Sequence, residues 1–573
     1  MAGLFCLCDF SRSVHIQFIN AAYIVLIQFR EEGLRTMAND KTKVGPVLAG
    51  LLLGMLLGAL DQTIMATAMP TVIQQLGGLS LYSWVFSVYM LASTTSMPIF
   101  GKLADLYGRK KMYMIGMGLF VGGSALCGLA ANMTELIVFR GIQGIGAGAL
   151  MPLAITIIAD MMPPEKRANM QGMFGVVFAL TSIVGPAVGG FIVDHFSWNW
   201  IFYVNLPIGL AAMAIIAAAL KESRSPGKRS IDWPGAALLS GSIVSVMLAL
   251  VFGGGAGENA ASYGWGSPFV IGLFAVGAAL LGLFLWAETK AKEPILPLSL
   301  FRNRVVAVSF ATGFMMNAAM FGAITYIPLY VQGIVGVSAS LAGYILTPLM
   351  LAVVAASIVS GRLLAKVQYR VLIACGLAVM AIGFYLMSTM DVHTTKTTIV
   401  LYMIVAGLGM GPLMPAINTA AQEAADRKQR GVVTSSVQFF RSVGGTIGVS
   451  VLGAIMSDRL HHGLSALAGK FPQIPAEQLG QLSNPRVLVD KTAMAALPRE
   501  MAAELQQLFA NAITQLFAVG AAIVILGFLI SFLMGNAKLN VREDAGAKGK
   551  PGEAKGEAGA EAEAQRALQP EVV

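Results

Sequence analysis

The sequence predicts an all-α integral membrane protein, and three observations support this. Of the 573 residues, 56% are hydrophobic and 12% are charged, whereas about 25% of residues are charged in ordinary soluble domains. Apolar stretches recur along nearly the whole chain, and about 20 such residues cross a hydrocarbon core about 30 Å thick. The 64 glycines and the aromatic content of 8% are typical of closely packed membrane helices and disfavour an outer-membrane barrel. The composition excludes a soluble enzyme.

The net charge of +9 does not indicate a nucleic-acid partner, because the basic residues lie in short loops between apolar segments. The cysteines are equally uninformative. Cys6 and Cys8 lie near the start, and Cys127 and Cys375 stand alone in apolar stretches. Their spacing supports neither a disulfide framework nor a zinc site, so no metal site is predicted.

Residues 1–36 differ from the rest of the chain. Their apolar run, 16–29, is short and is interrupted by Gln17, Asn20 and Gln28, which makes it a poor spanning helix. The segment also lacks the features of a secretory signal, whereas Met37 and the polar residues after it resemble an ordinary cytoplasmic start. We interpret residues 1–36 as a doubtful extension, which the intact mass of the expressed protein would test.

From residue 37 onward the pattern predicts fourteen spanning helices, arranged as two six-helix bundles with two inserted central helices. The predicted spans are 46–67, 82–101, 111–131, 135–159, 169–192, 199–220, 233–253, 268–288, 305–331, 340–361, 370–390, 397–420, 431–457 and 511–535.

The basic residues test this count, because cytoplasmic loops carry an excess of Lys and Arg. Every second loop is rich in them, from Lys41 before the first span to Arg430 before the thirteenth, whereas the short loops on the other side hold almost none except Lys396. An even number of spans with a basic first flank predicts that both termini are cytoplasmic. The expected location is a bacterial cytoplasmic membrane.

The spans divide the chain into a first bundle (37–220), two inserted helices with their linkers (221–304) and a second bundle (305–535). A faint repeat supports two related halves, since Gly101-Lys-Leu-Ala-Asp follows span 2 and Gly361-Arg-Leu-Leu-Ala follows span 10. Six-helix repeats are common in transporters. The long loop of about 458–510 is expected to be an external lid rather than a binding domain, and the low-complexity tail 536–573 is expected to be disordered.

The turn after span 2, Gly101-Lys-Leu-Ala-Asp-Leu-Tyr-Gly-Arg-Lys-Lys111, is the most specific segment of the chain. Positive charge in a cytoplasmic loop accounts for its cations, but not for Asp105 between Gly101 and Gly108. A carboxylate at this place can cap the N-terminus of a neighbouring helix. The turn therefore predicts a latch between the two bundles.

The same face carries a second candidate contact. Arg109 and Asp160 flank spans 3 and 4, and an ion pair between them would open and close during a transport cycle. Together with Gly101, Asp105 and Gly108, they form the predicted cytoplasmic gate.

The pattern G-x-L-x-D-x-x-G-R-K in this turn resembles the major facilitator superfamily, and the resemblance covers roughly residues 45–535. Further segments resemble its fourteen-helix drug:proton antiporters, the group of quaternary-ammonium and hydrophobic-drug exporters. These segments are Leu60-Asp61-Gln-Thr63-Ile in span 1, Trp84 with Tyr89-Met-Leu-Ala92 in span 2, Arg140-Gly-Ile-Gln143-Gly144-Ile-Gly146-Ala-Gly148 in span 4, Gly185-Pro186-Ala-Val-Gly189-Gly190 in span 5, and Trp198-Asn-Trp200-Ile-Phe202 with Asn205-Leu-Pro207-Ile-Gly209 at span 6.

The span 5 segment is expected to be pliable. Pro186 removes one backbone hydrogen bond and bends the helix, while Gly185, Gly189 and Gly190 allow a close helix contact. The resemblance implies that this seam lies in the outer half of an antiporter, and an ordinary proline kink is the alternative. Thr181 departs from the pattern of the family, which often has glycine there.

Charges inside the spans are functional candidates, because each costs about 2.5–3.5 kcal/mol on insertion scales. Asp61 lies near the middle of span 1, where burial disfavours the charged form of a carboxyl group. It is the first candidate for proton coupling, with a structural hydrogen bond as the alternative. Arg140 stays protonated and is expected to bias a nearby carboxylate or to hold span 4 against span 1, with Gln143 in the same network. Arg441 is expected either to face a central cavity or to pair with a polar partner.

The sequence therefore predicts a proton-driven antiporter that exports hydrophobic or cationic drugs and toxic compounds by alternating access. Gly407-x-Gly409-x-Gly411 lies in a span with no Lys-Ser/Thr after it, so it is no phosphate loop, and an ion gradient is the expected energy source. No cofactor and no catalytic residue are predicted.

The expected partners are apolar or cationic substrates, protons and the lipid bilayer, and the chain is expected to act as a monomer. The alternatives are an exporter of one metabolite, such as an amino acid, siderophore or lipid, and less readily a non-transporting membrane sensor or a channel.

Overall fold

A computed structural model gives the arrangement of the chain. It describes residues 44–76, 82–162, 177–221 without 178–179, 182–183, 186–187 and 194, then 232–253, 264–291, 294–336, 339–364, 366–426, 429–470 and 499–535. The N-terminal extension 1–36, the tail 536–573, Pro186 and the middle of the predicted external loop lie outside the described residues.

The first part of the chain consists of helices named here after the predicted spans. They are α1 (Val44–Leu76), α2 (Tyr82–Tyr107), α3 (Arg109–Gly128), α4 (Met133–Met161) and α6 (Asn205–Ala219), which follows the single turn Trp200–Tyr203. The described residues 177, 180–181, 184–185, 188–193 and 195 are helical as well, and we call them α5.

The rest of the chain continues in the same way. The helices are α7 (Trp233–Gly253), α8 (Pro268–Lys290), α9 (Arg304–Gly333) after the single turn Ser299–Arg302, α10 (Ala339–Leu363), α11 (Tyr369–Ser388), α12 (Lys396–Glu423), α13 (Arg430–Lys470) and α14 (Arg499–Ser531), which ends in a turn of 3₁₀ helix (Phe532–Met534). The described residues contain helices and no strand.

Helices are the expected solution in lipid, because a helix satisfies its own backbone hydrogen bonds where no water is present. Several ends are capped as in soluble proteins. The side chains of Asn132, Ser267 and Thr395 accept hydrogen bonds from backbone N–H groups at the starts of α4, α8 and α12.

Eleven helices of the described part are long and apolar enough to cross a membrane: α1, α4, α6 with its preceding turn, and α7 to α14. The helices α2 and α3 pack against α4 in the same bundle, and α5 is described only in part. This arrangement confirms the predicted all-α membrane class and is consistent with fourteen spans.

Two helix ends differ from the prediction. α13 runs to Lys470 and α14 begins at Arg499, so the segment expected as an external loop of about 458–510 is helical at both ends. The extensions carry polar residues, which ended the apolar pattern early, but they bury an apolar stripe that includes Leu460, Leu464 and Leu505. The two extensions contact each other, with Gly463 against Leu508.

Buried apolar side chains form three clusters. The helices α1 to α6 contribute two of them, and α9 to α14 contribute most of the third, which α7, Phe284 of α8 and Leu91 of α2 join. α7 packs on α8 through Ser242 and Ser245, which donate to the carbonyls of Gly277 and Leu273. The inserted pair thus forms a hairpin, and its helix α7 contacts both α2 of the first bundle and α13 of the second.

The two halves repeat the same helix contacts. Gly146 of α4 packs against the backbone of Gly116 and Phe120 in α3, and Gly409 of α12 packs against the backbone of Gly376 and Met380 in α11. The pair α3 and α4 is therefore equivalent to the pair α11 and α12. Equivalent residues are 260 positions apart in α3 and α11, and 263 positions apart in α4 and α12. The glycines Gly101 and Gly361 of the predicted repeat are also 260 residues apart.

The same comparison aligns α1 with α9. Gly185 of α5 packs against Thr63, and Gly444 of α13 packs against Phe314. Matching these two glycine contacts sets Thr63 against Phe314, and hence Asp61 against Thr312.

The halves meet where α2 and α4 contact α13. Gly101 of α2 lies so close to Ser435 and to the carbonyl of Gly431 that an added Cβ would collide with them. Further along, Thr94 and Ser442 share a hydrogen bond of 2.7 Å, and Gln438 donates to the sulfur of Met151 in α4. The contacts of Asp105 and the neighbourhood of Arg441, described below, lie at this interface.

Candidate functional site

Asp61 and Arg140 form an ion pair inside the first bundle. Asp61 lies on α1 and Arg140 on α4, and Arg140 Nη1 is 2.6 Å from Asp61 Oδ2. The two side chains are 2% and 1% exposed, so that neither charge is stabilised by bulk water. Each charge depends on the other and on the polar groups around them.

Gln143 joins the pair into a closed triangle. Its side-chain nitrogen donates to Asp61 Oδ1 at 2.8 Å, and its oxygen accepts from Arg140 Nη1 at 2.8 Å. The spacing of three residues on α4 places Arg140 and Gln143 on one face of the helix. Both Asp61 oxygens therefore have a donor from the same helix.

Two polar residues that the sequence had not singled out complete the network. Asn205, at the start of α6, donates from its side-chain nitrogen to Asp61 Oδ1 at 3.2 Å and to Ser124 Oγ at 3.0 Å. Ser124 of α3 donates in turn to the carbonyl of Phe202. Asn205 belongs to the segment of span 6 that resembles the antiporters. It could have been selected as an uncharged polar residue in an otherwise apolar span.

An aromatic ring covers the guanidinium. The Arg140 Cζ atom lies 4.1 Å from the centre of the Tyr89 ring, a cation–π geometry. Gly144 and Gly148 of α4 allow this approach, because they pack against the backbone of Tyr89 and Ser93 in α2. These glycines serve close helix packing.

The network pairs a guanidinium, which keeps its proton at ordinary pH, with a carboxylate, a type of group that a proton can neutralise. Neutral Asp61 would leave Arg140 with Gln143 and the Tyr89 ring as its nearest partners.

The turn between α2 and α3 carries the second group of predicted residues. Gly108 has a φ of 103°, a conformation that favours glycine, and it places Arg109 at the start of α3. Arg109 contacts Asp105 at 3.3 Å and also pairs with Asp160 at the end of α4. The structure thus brings together the residues of the predicted gate.

Asp105 reaches across to the second bundle. Its oxygens accept from the backbone N–H of Gly431 at 3.2 Å and of Val432 at 2.9 Å, at the start of α13. Asp105 lies beyond the predicted span 82–101. Burial raises the pKa of its carboxyl, whereas Arg109 and these two N–H groups act to lower it. The contact has the geometry of a helix cap, made between the two halves.

The span 5 segment lies next to the Asp61 network. Gly185 packs against Thr63, two residues after Asp61. The Thr63 hydroxyl lies within hydrogen-bond distance of two carbonyls, that of Leu60 at 3.0 Å and that of Thr181 at 3.2 Å. Gly189 is buried and Gly190 is partly exposed, while Pro186 lies outside the described residues. The expected pliability of this segment stays a prediction.

Arg441 is separate from the Asp61 network. It lies between α9, α12 and α13, where Nη1 donates to Gln438 Oε1 at 2.6 Å and Nη2 lies 3.4 Å from the sulfur of Met414. Its backbone carbonyl accepts from the side chain of Asn317 at 3.0 Å. The Asp61–Arg140 pair and Arg441 are therefore separate buried charged centres, one in each half.

The described residues hold no group of three or more His, Cys, Asp or Glu side chains placed to bind a metal ion. Cys127 lies 3.6 Å from Gln143 Oε1 and is a buried free thiol.

Comparison with known proteins gives one family. The model of the Major Facilitator Superfamily matches residues 51–449. The chain is 41% identical over 513 residues to a protein named "Multidrug transporter protein MdtP" from Bacillus subtilis (strain 168), covering 86% of this chain and 93% of that protein. It is 37% identical to "Multidrug resistance protein 3" of the same organism, covering 86% of this chain and 95% of that protein.

Solved structures share the fold. The chain is 14% identical to the human organic anion transporter MFSD10 (TETRAN), with a TM-score of 0.56 over 86% of this chain and 100% of that one. It is 13% identical to the proton:xylose symporter XylE, with a TM-score of 0.53 over 85% of this chain and 95% of that one. At such identities the likeness concerns the helix arrangement alone.

Proposed function

The chain belongs to the Major Facilitator Superfamily, and from that premise we propose that it is a proton-driven antiporter that exports hydrophobic or cationic drugs and toxic compounds by alternating access. The relatives at 41% and 37% identity carry names that refer to multidrug transport and resistance, which supports this substrate class. The chain is a multi-pass membrane protein.

The observation that carries the proposal is the buried pair of Asp61 and Arg140. The Asp61 carboxylate is 2% exposed and lies in a membrane helix, where a charge costs free energy. Such a charge is therefore a candidate for function. Of the two partners only Asp61 can exchange a proton. Asp61 is therefore the proton carrier, and Arg140, Gln143 and Asn205 hold its charged form.

Proton uptake changes the contacts between helices. Charged Asp61 ties α1 to α4 through Arg140 and Gln143 and to α6 through Asn205. Protonation removes the charge that these donors bind and weakens the ties. A bound proton and a bound substrate then favour opposite arrangements of the helices, which is the condition for obligatory exchange.

The gate residues act at the seam between the halves. Asp105 binds the start of α13 and Arg109 pairs with Asp160 of α4, which supports a gate at this end of the molecule. The two six-helix bundles rock about a central site, and the Asp105 contact breaks when this end opens. Gly185, Gly189 and Gly190 of α5 supply the pliable segment at the other end of the molecule.

The basic loops face the cytoplasm in this proposal, and both termini lie there as well. A fluorescent protein that matures only in the cytoplasm, fused after Val573, is expected to fluoresce. The transporter acts as a monomer, with apolar or cationic substrates, protons and lipid as its partners.

The direct test uses everted membrane vesicles with an acid interior. Vesicles with the wild-type protein are expected to accumulate a cationic dye, and Asp61→Asn is expected to reduce accumulation to the level of vesicles without the protein, because Asn keeps the shape but cannot titrate. Asp458→Asn is the matched control, since Asp458 is 66% exposed and its loss is expected to leave accumulation unchanged.

Full proton-driven accumulation by the Asp61→Asn variant would contradict the role of Asp61. A panel of unrelated dyes and antibiotics tests the substrate range. Transport of a single amino acid, siderophore or lipid with none of the panel would point instead to the exporter of one metabolite.

A further inference from the structure

Arg441 differs from the other deeply buried arginine of the described chain in what surrounds it. Arg140 has Asp61 at 2.6 Å. Arg441 is 5% exposed, yet none of the ion pairs among the described residues includes it. The second bundle thus holds a buried cation that no described carboxylate compensates.

The groups that contact the guanidinium are neutral and few. Nη1 donates to Gln438 Oε1 and Nη2 to the thioether of Met414, which is a weak acceptor. Nε is buried and has no hydrogen-bond partner among the described residues, and neither has the Oδ1 atom of the adjacent Asn317. The span 5 segment cannot supply an acid, because the sequence has no Asp or Glu between Arg167 and Asp194.

The position of Arg441 fits a substrate site. It is the twelfth residue of α13, about 17 Å from the helix start at 1.5 Å per residue, which is near the middle of a core about 30 Å thick. Gln438 contacts Met151 of α4, and Ser442 contacts Thr94 of α2. Arg441 therefore lies between two residues that touch the first bundle, at the level where transporters of this kind bind their substrates.

We propose that Arg441 is the anion-recognising residue of the substrate site, so that the export range includes apolar molecules that carry one carboxylate or sulfonate group. The planar guanidinium presents Nε and a terminal nitrogen as a fork that matches a carboxylate. Gln438, Met414 and Met151 line the same place, and thioethers adapt to apolar bodies of different shape.

This inference rests on the export function proposed above and extends its substrate class to organic acids and zwitterions. It assigns the two halves separate tasks: the first bundle keeps its cation with Asp61 for proton exchange, and the second offers its cation to the substrate. A purely structural Arg441 is the competing explanation.

The test compares rhodamine 110, which carries a free carboxylate, with rhodamine 123, its methyl ester, in energised everted vesicles. Arg441→Gln is expected to reduce accumulation of rhodamine 110 about tenfold or more, because a site built around a charged contact rejects the ligand when its partner is missing. Accumulation of rhodamine 123 is expected to change less than threefold. Arg441→Lys keeps the charge without the fork and is expected to give an intermediate loss. Arg302→Gln, at an exposed position, is the matched control and is expected to affect neither dye.

Thermal unfolding of the purified full chain separates recognition from structure. Arg441→Gln removes an uncompensated charge and is expected to keep or raise the melting temperature, whereas loss of a structural arginine lowers it. Rhodamine 110 is expected to raise the melting temperature of the wild type more than rhodamine 123 does, a measurement that needs no variant to fold.

The outcomes are distinguishable. Accumulation of rhodamine 123 but not rhodamine 110 by the wild type, or equal losses of both dyes in Arg441→Gln with a lowered melting temperature, would overturn the anion site and leave the export function standing. Accumulation of neither dye, nor of any of the panel, would overturn the export function and this inference with it.

Discussion

The two halves share a backbone arrangement but differ in the polar side chains that they place on it. Gln143 of α4 lies against Gly123 of α3, and Ala406 of α12 lies against Gly383 of α11 in the same way. By this alignment Arg140 corresponds to Met403. The polar triangle of the first half thus has apolar residues at two of its three positions in the second.

The third position is also uncharged in the second half. Asp61 corresponds to Thr312, whose hydroxyl donates to the carbonyl of Val308 on its own helix. The second half carries its buried charge elsewhere, at Arg441 of α13. The same helix packing therefore holds a compensated charge in one half and an uncompensated charge in the other. Helix packing and charge placement vary independently in this chain.

The strongest way to break the comparison is to remove the cation of the first half. Arg140→Gln leaves Asp61 as a buried carboxylate without its cation and is expected to destabilise the protein by about 3–5 kcal/mol. The double variant Asp61→Asn with Arg140→Gln is expected to recover most of this stability without recovering transport. Thermal unfolding and vesicle transport measure both effects, and equal melting temperatures for Arg140→Gln and Arg441→Gln would contradict the difference drawn between the halves.

The shared scaffold makes the second prediction. Gly146→Ala and Gly409→Ala place a methyl group against the backbone of α3 and α11 respectively, and each is expected to cost about 1–3 kcal/mol through overpacking. Gly118→Ala is the control on α3, because nothing lies within 4 Å of an added Cβ there. Similar losses at both glycines support equivalent packing, and a loss at only one would break the alignment.

The contact between the halves gives a smaller effect. Asp105→Ala removes the cap from the start of α13 and is expected to shift the equilibrium toward the arrangement in which this end is open by about 0.5–2 kcal/mol. Faster thiol labelling of Ser435→Cys, in a chain without its native cysteines, would report the opening. Unchanged labelling would show that Asp105 does not hold the two halves together.

The smallest expected effect concerns the residue of α6 in the network. Asn205→Ala removes one hydrogen bond of 3.2 Å to Asp61 and is expected to cost about 0.5–1.5 kcal/mol, with transport reduced several-fold. Asn511→Ala, at an exposed position on α14, is the control. Transport lost as completely as in Asp61→Asn would mean that Asn205 does more than orient the carboxylate.

Most of the helices and the charged residues of the site could be predicted from the sequence. Long apolar segments and basic loops located the helices, and the cost of intramembrane charge selected Asp61, Arg140 and Arg441. The polar ends of α13 and α14 were missed, because their buried stripe includes Leu464 and Leu505 in an otherwise hydrophilic context. Asn205 was quoted but not selected, since an uncharged side chain carries no comparable signal of cost.

Hydropathy and the placement of Lys and Arg by themselves determined the class of the protein, because a backbone in lipid has no stable alternative to the helix. Only the tertiary structure decided which charges meet. Asp61 and Arg140 are far apart in the sequence and share a hydrogen bond, whereas Arg441 finds no described carboxylate. Periodicity specifies which face of a helix is polar, but the packing of α1, α4 and α6, or of α9, α12 and α13, determines what that face contacts.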